Sequence, residues 1–164
     1  MKVRWTMLAL FGALTVGILA LGSIASAEEV DDTTPPTVIE TVPYDGKTSV
    51  HLEKMILAYF SEPDAHTMDR ASINTLTVRL HEGEYDPATN SCEASCAVPA
   101  LVKYRAVWGK AVLDPNELLK PRTLYTVVIE GATGDMNGGA LAVEDLAGNP
   151  MTQTYTFNFT TGRN

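Results

Sequence analysis

The stretch LLKPRTLYTVVIEG, residues Leu118 to Gly131, decides how this chain is interpreted. Its second half alternates polar and apolar residues, which is the pattern of a β-strand with one buried face. Its first half is less common, because a leucine, a proline, a threonine and a tyrosine occupy every second position before the strand: Leu119, Pro121, Thr123 and Tyr125. Leu119 and Tyr125 share a side with Val127 and Ile129, so we expect them to cover the end of a core.

The chain after its first 27 residues also has the composition of β-structure. β-Branched and aromatic residues are concentrated in short runs, separated by turn clusters rich in Gly, Pro, Asp and Asn. The runs are Met55 to Phe60, Leu76 to Leu80, Leu101 to Trp108, Tyr125 to Glu130 and Thr154 to Thr161. Asp114 to Lys120 has room for a single helical turn at most. This pattern predicts an all-β sandwich or barrel.

The spacing L-x-P-x-T-x-Y-x-V favours the sandwich. In Ig-like sandwiches, a tyrosine near the start of one strand turns its hydroxyl back onto the backbone a few residues upstream and fixes the crossing between the sheets. Pro121 would stiffen the approach to such a corner. We therefore predict a structural tyrosine corner formed by Leu119, Pro121 and Tyr125 in an Ig-like β-sandwich of about seven strands. The alternative is that Tyr125 is a surface tyrosine at a strand start.

Residues 1–27 differ in kind from the rest. Lys2 and Arg4 make a basic start, an apolar run follows from Met7 to about Ile24, and the small residues of the sequence ASA precede an acidic segment. This is the order of a secretory signal peptide, with cleavage predicted between Ala27 and Glu28. The alternative is an uncleaved anchor, because the apolar run is just long enough to span a bilayer. We expect cleavage, and a secreted or extracytoplasmic protein (cell surface or periplasm) without stable membrane insertion.

The charge balance is acidic. The chain has 12 basic and 20 acidic residues and a net charge of −8, and the predicted leader removes only Lys2 and Arg4 from this count. An acidic surface disfavours nucleic acid, whose phosphates are bound by basic patches, and it disfavours anionic membranes. We expect any partner to be a cation, a neutral polymer such as a glycan, or another protein at the cell surface.

Residues 28–36 have the composition of an acidic linker stiffened by proline, and the predicted sandwich domain occupies residues 37–164. From residue 34 onward, short motifs resemble the bacterial Ig-like domain of the SbsA type, found in S-layer and other cell-surface proteins. In chain order they are TPPTV (Thr34 to Val38), P-x-DG (Pro43 to Gly46), FSEP (Phe60 to Pro63), MD (Met68 and Asp69), L-x-P-x-T-x-Y-x-V (Leu119 to Val127), DLAGNP (Asp145 to Pro150) and FTTG (Phe159 to Gly162).

The chain departs from the pattern of that family in three loops, at Asp64 to Thr67, Ser91 to Cys96 and Gly134 to Glu144. The resemblance implies an extracellular module that acts as a spacer or as a protein or glycan interaction domain, without a shared active site. The three added loops are where we expect partner specificity to reside, because loops carry function on rigid scaffolds.

Cys92 and Cys96 are the two cysteines of the chain. In a secreted protein, a pair four residues apart in a turn-rich loop predicts a small disulfide loop. A metal site is the alternative, but it would need further ligands, and His81 is the nearest in sequence.

The three histidines, His51, His66 and His81, match no metal-ligand spacing, and their polar neighbours favour solvated side chains. The segment from Pro43 to Pro63 also resembles the start of CopC-type periplasmic copper carriers. That resemblance implies copper binding through a histidine at the mature N-terminus, where this chain has Glu28. A periplasmic copper carrier is therefore the alternative function.

A calcium loop is a further possibility, because the segment Asp135 to Leu146 begins with Asp135 and Asn137. It then lacks the turn glycine and the closing glutamate of an EF-hand. A looser calcium site from Asp135, Asn137 and Asp145 is the alternative to a solvated acidic loop. We predict no bound metal and no cofactor.

The sequence holds no nucleophile elbow, phosphate-binding glycine loop or zinc-protease helix, and we predict a protein that is not an enzyme. A carbohydrate-binding domain would present exposed aromatic side chains on one face, for which Tyr44, Tyr85 and Trp108 are the candidates.

Overall fold

A computed structural model describes residues 32–61, 67–86, 89, 96–132 and 141–163. The chain divides into two units, Met1–Val30 and Asp31–Asn164. The predicted leader, with its cleavage site at Ala27 and Glu28, lies outside the described residues. Within those residues, no helix has the length and apolar character needed to cross a membrane.

The described residues form nine β-strands and one 3-10 helix. The strands are β1 (Val38–Val42), β2 (Lys47–Val50), β3 (Ile56–Phe60), β4 (Val78–Glu82), β5 (Ala97–Val98), β6 (Ala100–Arg105), β7 (Lys110–Pro115), β8 (Leu124–Ile129) and β9 (Tyr155–Thr161). The 3-10 helix, Ala106–Trp108, connects β6 and β7.

The strands form two sheets, as an Ig-like sandwich requires. One has the order β1-β3-β7-β6, and the other has the order β2-β9-β8-β4-β5. All pairings are antiparallel except that of β2 with β9, which is parallel. The all-β sandwich prediction is confirmed.

The structure has more strands than the sequence indicates, because β2 and β5 are short strands at the edge of one sheet. Short edge strands bury few side chains and so carry little apolar pattern. Asp114 to Lys120, where the sequence allows one helical turn at most, contains no helical turn, and Asp114 and Pro115 end β7. The run from Leu101 to Trp108 is also shorter as a strand, because the chain leaves the sheet after Arg105.

The core lies between the two sheets and follows the alternation of the strands. In β9, Phe157 and Phe159 are buried, whereas Thr156 and Asn158 are exposed. The largest fully buried side chains are Tyr125, Phe157, Phe159, Ile56, Met68, Leu80 and Leu113. Burial of these apolar side chains supplies most of the favourable free energy of folding. Each sheet has a second side, its outer face, that points away from this core.

Candidate functional site

The stretch before β8 forms a tight corner around Tyr125. The hydroxyl of Tyr125 accepts a hydrogen bond from the backbone N–H of Lys120 at 2.8 Å, which is the contact that defines a tyrosine corner. Its ring stacks on Phe159 with the ring centroids 5.6 Å apart. Leu119 is buried in the same core, and Pro121 is exposed at the turn. Burial raises the pKa of Tyr125, so the hydroxyl stays protonated near neutral pH.

Part of the outer face of the five-stranded sheet is covered by Tyr85 and Cys96, which lie in the described part of the connection between β4 and β5. Tyr85 and Cys96 pack on Val128 of β8 and bury it completely. Tyr85, one of the three candidates for an exposed aromatic face, is not available for that role, because the residue is only 8% exposed. Tyr85 is buried by its contacts with the sheet, which the turn residues around it in the sequence do not reveal.

His81 lies under the same cover. Its ring stacks on that of Tyr85 with the centroids 3.9 Å apart and the planes 9° apart, and its Nδ1 lies 3.3 Å from the Sγ of Cys96. The expectation of a solvated histidine is wrong for His81, which is 6% exposed, and it fits His51, which is exposed. Burial, and secondarily the charge of Arg79, lowers the pKa of His81 to about 4. His66 lies outside the described residues.

An ion pair completes this covered face. A terminal nitrogen of Arg79 binds the carboxylate of Glu130, whose other oxygen accepts a hydrogen bond from Thr154 at 3.1 Å. The guanidinium of Arg79 also lies 5.7 Å from the centre of the Tyr85 ring. Glu130 is buried, so its charge depends on this partner. The arrangement holds Tyr85 against the sheet.

Several predicted site residues lie outside the described part of the chain, namely Cys92, Asp135 and Asn137. The Cys92–Cys96 disulfide and the calcium site therefore stay predictions. Asp145 is described, and its carboxylate accepts the backbone N–H and the side-chain amide of Asn149, both at 2.8 Å. Those bonds close the DLAGNP turn. Within the described residues, no group of three His, Cys, Asp or Glu side chains is arranged to hold a metal ion.

An open groove of about 750 Å³ lies between the edge strands β1 and β2. Tyr44 stands at this groove and is 61% exposed, with the Nζ of Lys47 5.1 Å from its ring centre. Asp45 also lines the groove, but it accepts the backbone N–H of Asn158 at 2.8 Å and so fixes the loop. The groove is thus lined by two aromatic residues, the exposed Tyr44 and the half-buried Tyr155.

The outer face of the four-stranded sheet carries a second group of aromatic and charged side chains. Trp108 stands at the tip of the β6–β7 connection and is 67% exposed. The Nζ of Lys110 lies 5.4 Å from the ring centre of Trp108 and 5.2 Å from that of Tyr59. It also lies 3.3 Å from the hydroxyl of Tyr59. Such contacts between a cation and two ring faces hold both rings in place.

The register of the strands extends this surface. Lys110 pairs with Tyr59 on one side and with Arg105 on the other, so the three side chains share one face. Lys103 lies two residues before Arg105 on β6, and it faces the same way. We call the surface of Tyr59, Lys103, Arg105, Trp108 and Lys110 the basic aromatic face. The sequence analysis identified Trp108 alone, because the other four come together only through the sheet.

Comparison with known proteins agrees with this architecture. The profile of the bacterial Ig-like domain matches residues 32–161. No curated protein matches the chain. Two similar solved structures are PcoC, a methionine-rich copper resistance protein from Escherichia coli, and the S-layer protein SbsC.

The likeness to these two structures is one of fold. PcoC is 19% identical with a TM-score of 0.50, and the match covers 78% of this chain and 99% of PcoC. SbsC is 16% identical with a TM-score of 0.50, and the match covers 80% of this chain. The chain spans 14% of the SbsC structure, so it corresponds to one part of that larger protein.

Proposed function

The chain belongs to the bacterial Ig-like domain family, and we propose that it is a non-catalytic module outside the cytoplasm, acting as a spacer or as a domain that binds proteins or glycans. Within the family we assign it to the SbsA type, because its motifs follow that pattern in order from Thr34 to Gly162. A rigid sandwich suits both roles, since it holds surface side chains in fixed positions.

One observation carries the interaction role. Trp108 is a large apolar side chain that stays exposed although Lys110 holds it in a defined position. Exposure of an aromatic ring forgoes favourable burial, and tryptophan is among the residues most enriched where binding energy is concentrated. A spacer alone would not need a tryptophan there.

The alternative function is a periplasmic copper carrier, and the similarity of fold to PcoC is the reason to consider it. The described side chains do not favour it. Met68 and Met151 are buried in the core, and the Nε2 of His81 is buried without a hydrogen-bond partner among the described residues. Copper would have to displace the packing around each of these three side chains. His51 and Met55 are exposed, but in the described part of the chain no group of three His, Cys, Asp or Glu side chains is arranged to hold a metal ion.

The test combines metal analysis with a sedimentation assay. Purified mature protein should carry no stoichiometric copper or calcium, show no hydrolase activity, and sediment with isolated bacterial cell-envelope material. One tightly bound copper ion per chain, lost when His51, His66 or His81 is replaced, would instead establish the copper carrier. Calcium lost in Asp135→Ala would establish an ion site in the Gly134 to Glu144 loop. Replacing this whole loop by a short Gly/Ser turn would also remove Val143, which is buried in the core, so Asp135→Ala is the cleaner test.

A further inference from the structure

We propose that the basic aromatic face binds an anionic polysaccharide whose negative charges are carboxylates on the sugar units; this inference rests on the proposed interaction role. Tyr59, Lys110 and Arg105 form one row across three strands, with Trp108 at the end of the β6–β7 connection and Lys103 in the next row. Flat rings can stack on sugar rings, while the cations can pair with carboxylates.

The charges on this face oppose the charge of the chain. The protein carries a net charge of −8, yet Lys103, Arg105 and Lys110 lie together on β6 and β7. In the described part of the chain, neither Lys103 nor Arg105 forms an ion pair. Grouped cations raise the local concentration of an anionic ligand, and their effect falls as salt screens it.

Acidic side chains mark the limits of the surface. Glu40 of β1 pairs with Tyr59 at one end of the row, and Asp114 pairs with Leu101 beyond the row that holds Lys103. The cationic part is therefore narrow and is confined to the β6–β7 side of the sheet. A linear polymer, which needs a strip of surface, fits this outline better than a broad polyanionic surface.

The size of the face favours a glycan over a folded protein. Four strands about 4.8 Å apart give a width of about 14 Å, and three rows give a similar length. A short run of sugar units can span a patch of this size, whereas a standard protein interface of ~800 Å² of accessible surface per partner would extend beyond it onto neighbouring surfaces. An acidic peptide is the remaining competitor, but it has no sugar ring to stack on Trp108.

The experiment measures binding by calorimetry with three probes of known composition. They are polygalacturonate, the same polymer after methyl esterification, which removes its charge, and poly-glutamate. We expect binding to polygalacturonate, little binding to the ester, and weaker binding to poly-glutamate. Raising sodium chloride from about 0.05 to about 0.5 M should weaken the first interaction.

Substitutions locate the site. Trp108→Ala should weaken binding to polygalacturonate about tenfold, as expected for a central aromatic side chain. Combined Lys103→Gln and Arg105→Gln should weaken it by at least as much. The matched controls are Tyr44→Ala and Lys54→Gln at the groove, which remove the same kinds of side chain from another exposed surface and should leave binding unchanged.

Several outcomes would overturn the proposal: equal binding of the charged and esterified polymers, stronger binding of poly-glutamate, no binding of polygalacturonate at low salt, or equal losses in the face and groove variants. The proposed function is judged separately. A protein that sediments with envelope material but ignores polygalacturonate remains an interaction module without this ligand. A protein that does neither and carries copper contradicts both.

Discussion

The two outer faces of this sandwich differ in what covers them. On the five-stranded sheet, Tyr85 and Cys96 pack over Val128 and His81. Glu130 forms an ion pair with Arg79 on the same face. On the four-stranded sheet, Trp108 and Arg105 are exposed, with Lys110 half-buried between the two rings. The buried carboxylate of Glu130 on the first face is paired within the chain, whereas Lys103 and Arg105 on the second are available to a ligand.

This difference separates stability from binding. A buried charge or ring contributes to folding only while its neighbours stay in place, so changes on the covered face should reduce the free energy of unfolding. Exposed side chains contribute little to folding, so changes on the basic aromatic face should reduce binding alone. The predictions below go from the largest expected loss of stability to the smallest.

Arg79→Met should be the most damaging. It leaves the carboxylate of Glu130 buried without its cationic partner, which should lower the free energy of unfolding by about 3 kcal/mol. Adding Glu130→Leu should recover much of this loss, because the second change removes the unpaired charge. Denaturant unfolding of both variants measures the difference. If adding Glu130→Leu did not restore the free energy of unfolding lost in Arg79→Met, the ion pair would not be the cause of the loss.

Tyr125→Phe should cost about 1–3 kcal/mol, because the N–H of Lys120 then loses its acceptor. The control is Tyr44→Phe, which removes a hydroxyl from an exposed ring and should be nearly neutral. Chemical denaturation compares the two. Equal and negligible losses would leave the corner without energetic importance.

Acidification should weaken the covered face through His81. Its pKa is about 4 in the folded protein against an ordinary value of 6.5, so between these values the unfolded chain binds the extra proton. The contribution of this group to the free energy of unfolding is therefore fully present above pH 6.5 and is lost as the pH falls toward 4, with about 2 kcal/mol lost by pH 5.

The matched variant for this pH effect is His81→Phe, which keeps a ring against Tyr85 and cannot titrate. The unfolding free energy of the wild type should fall relative to that of this variant as the pH falls from 7 to about 5. A constant difference across that range would mean that His81 does not titrate on unfolding there.

The cysteines should matter least. We predict that Cys92 and Cys96 are bonded to each other, and that a thiol titration of unfolded, unreduced protein finds no free thiol. Combined Cys92→Ser and Cys96→Ser should keep the fold, because such a small ring constrains the unfolded chain much less than the ~3 kcal/mol of a 15-residue loop. Two titratable thiols per chain would contradict the pairing.

The sequence predicts the features that depend on near neighbours. The spacing from Leu119 to Tyr125 indicates a corner within seven residues, and the alternation of β9 separates Phe157 from Thr156. It does not reveal which strands are adjacent. Val128 and Arg79 meet because β4 pairs with β8, and no local pattern encodes that register.

The same limit explains the two errors on the covered face. His81 and Tyr85 have polar sequence neighbours, which suggest exposure, but the return of the chain across the sheet buries both. The basic aromatic face is hidden from the sequence for the same reason, since Tyr59 and Lys110 lie 51 residues apart and become neighbours only through the pairing of β3 with β7.

The most direct measurement compares one aromatic substitution from each face in both assays. Trp108→Ala should keep the unfolding free energy within about 0.5 kcal/mol of the wild type while binding to polygalacturonate falls about tenfold. Tyr85→Ala should lower the unfolding free energy by about 3 kcal/mol while the protein that remains folded binds polygalacturonate as the wild type does. Unchanged binding in Trp108→Ala, or weakened binding in folded Tyr85→Ala, would contradict the division of the molecule into one face for stability and one for binding.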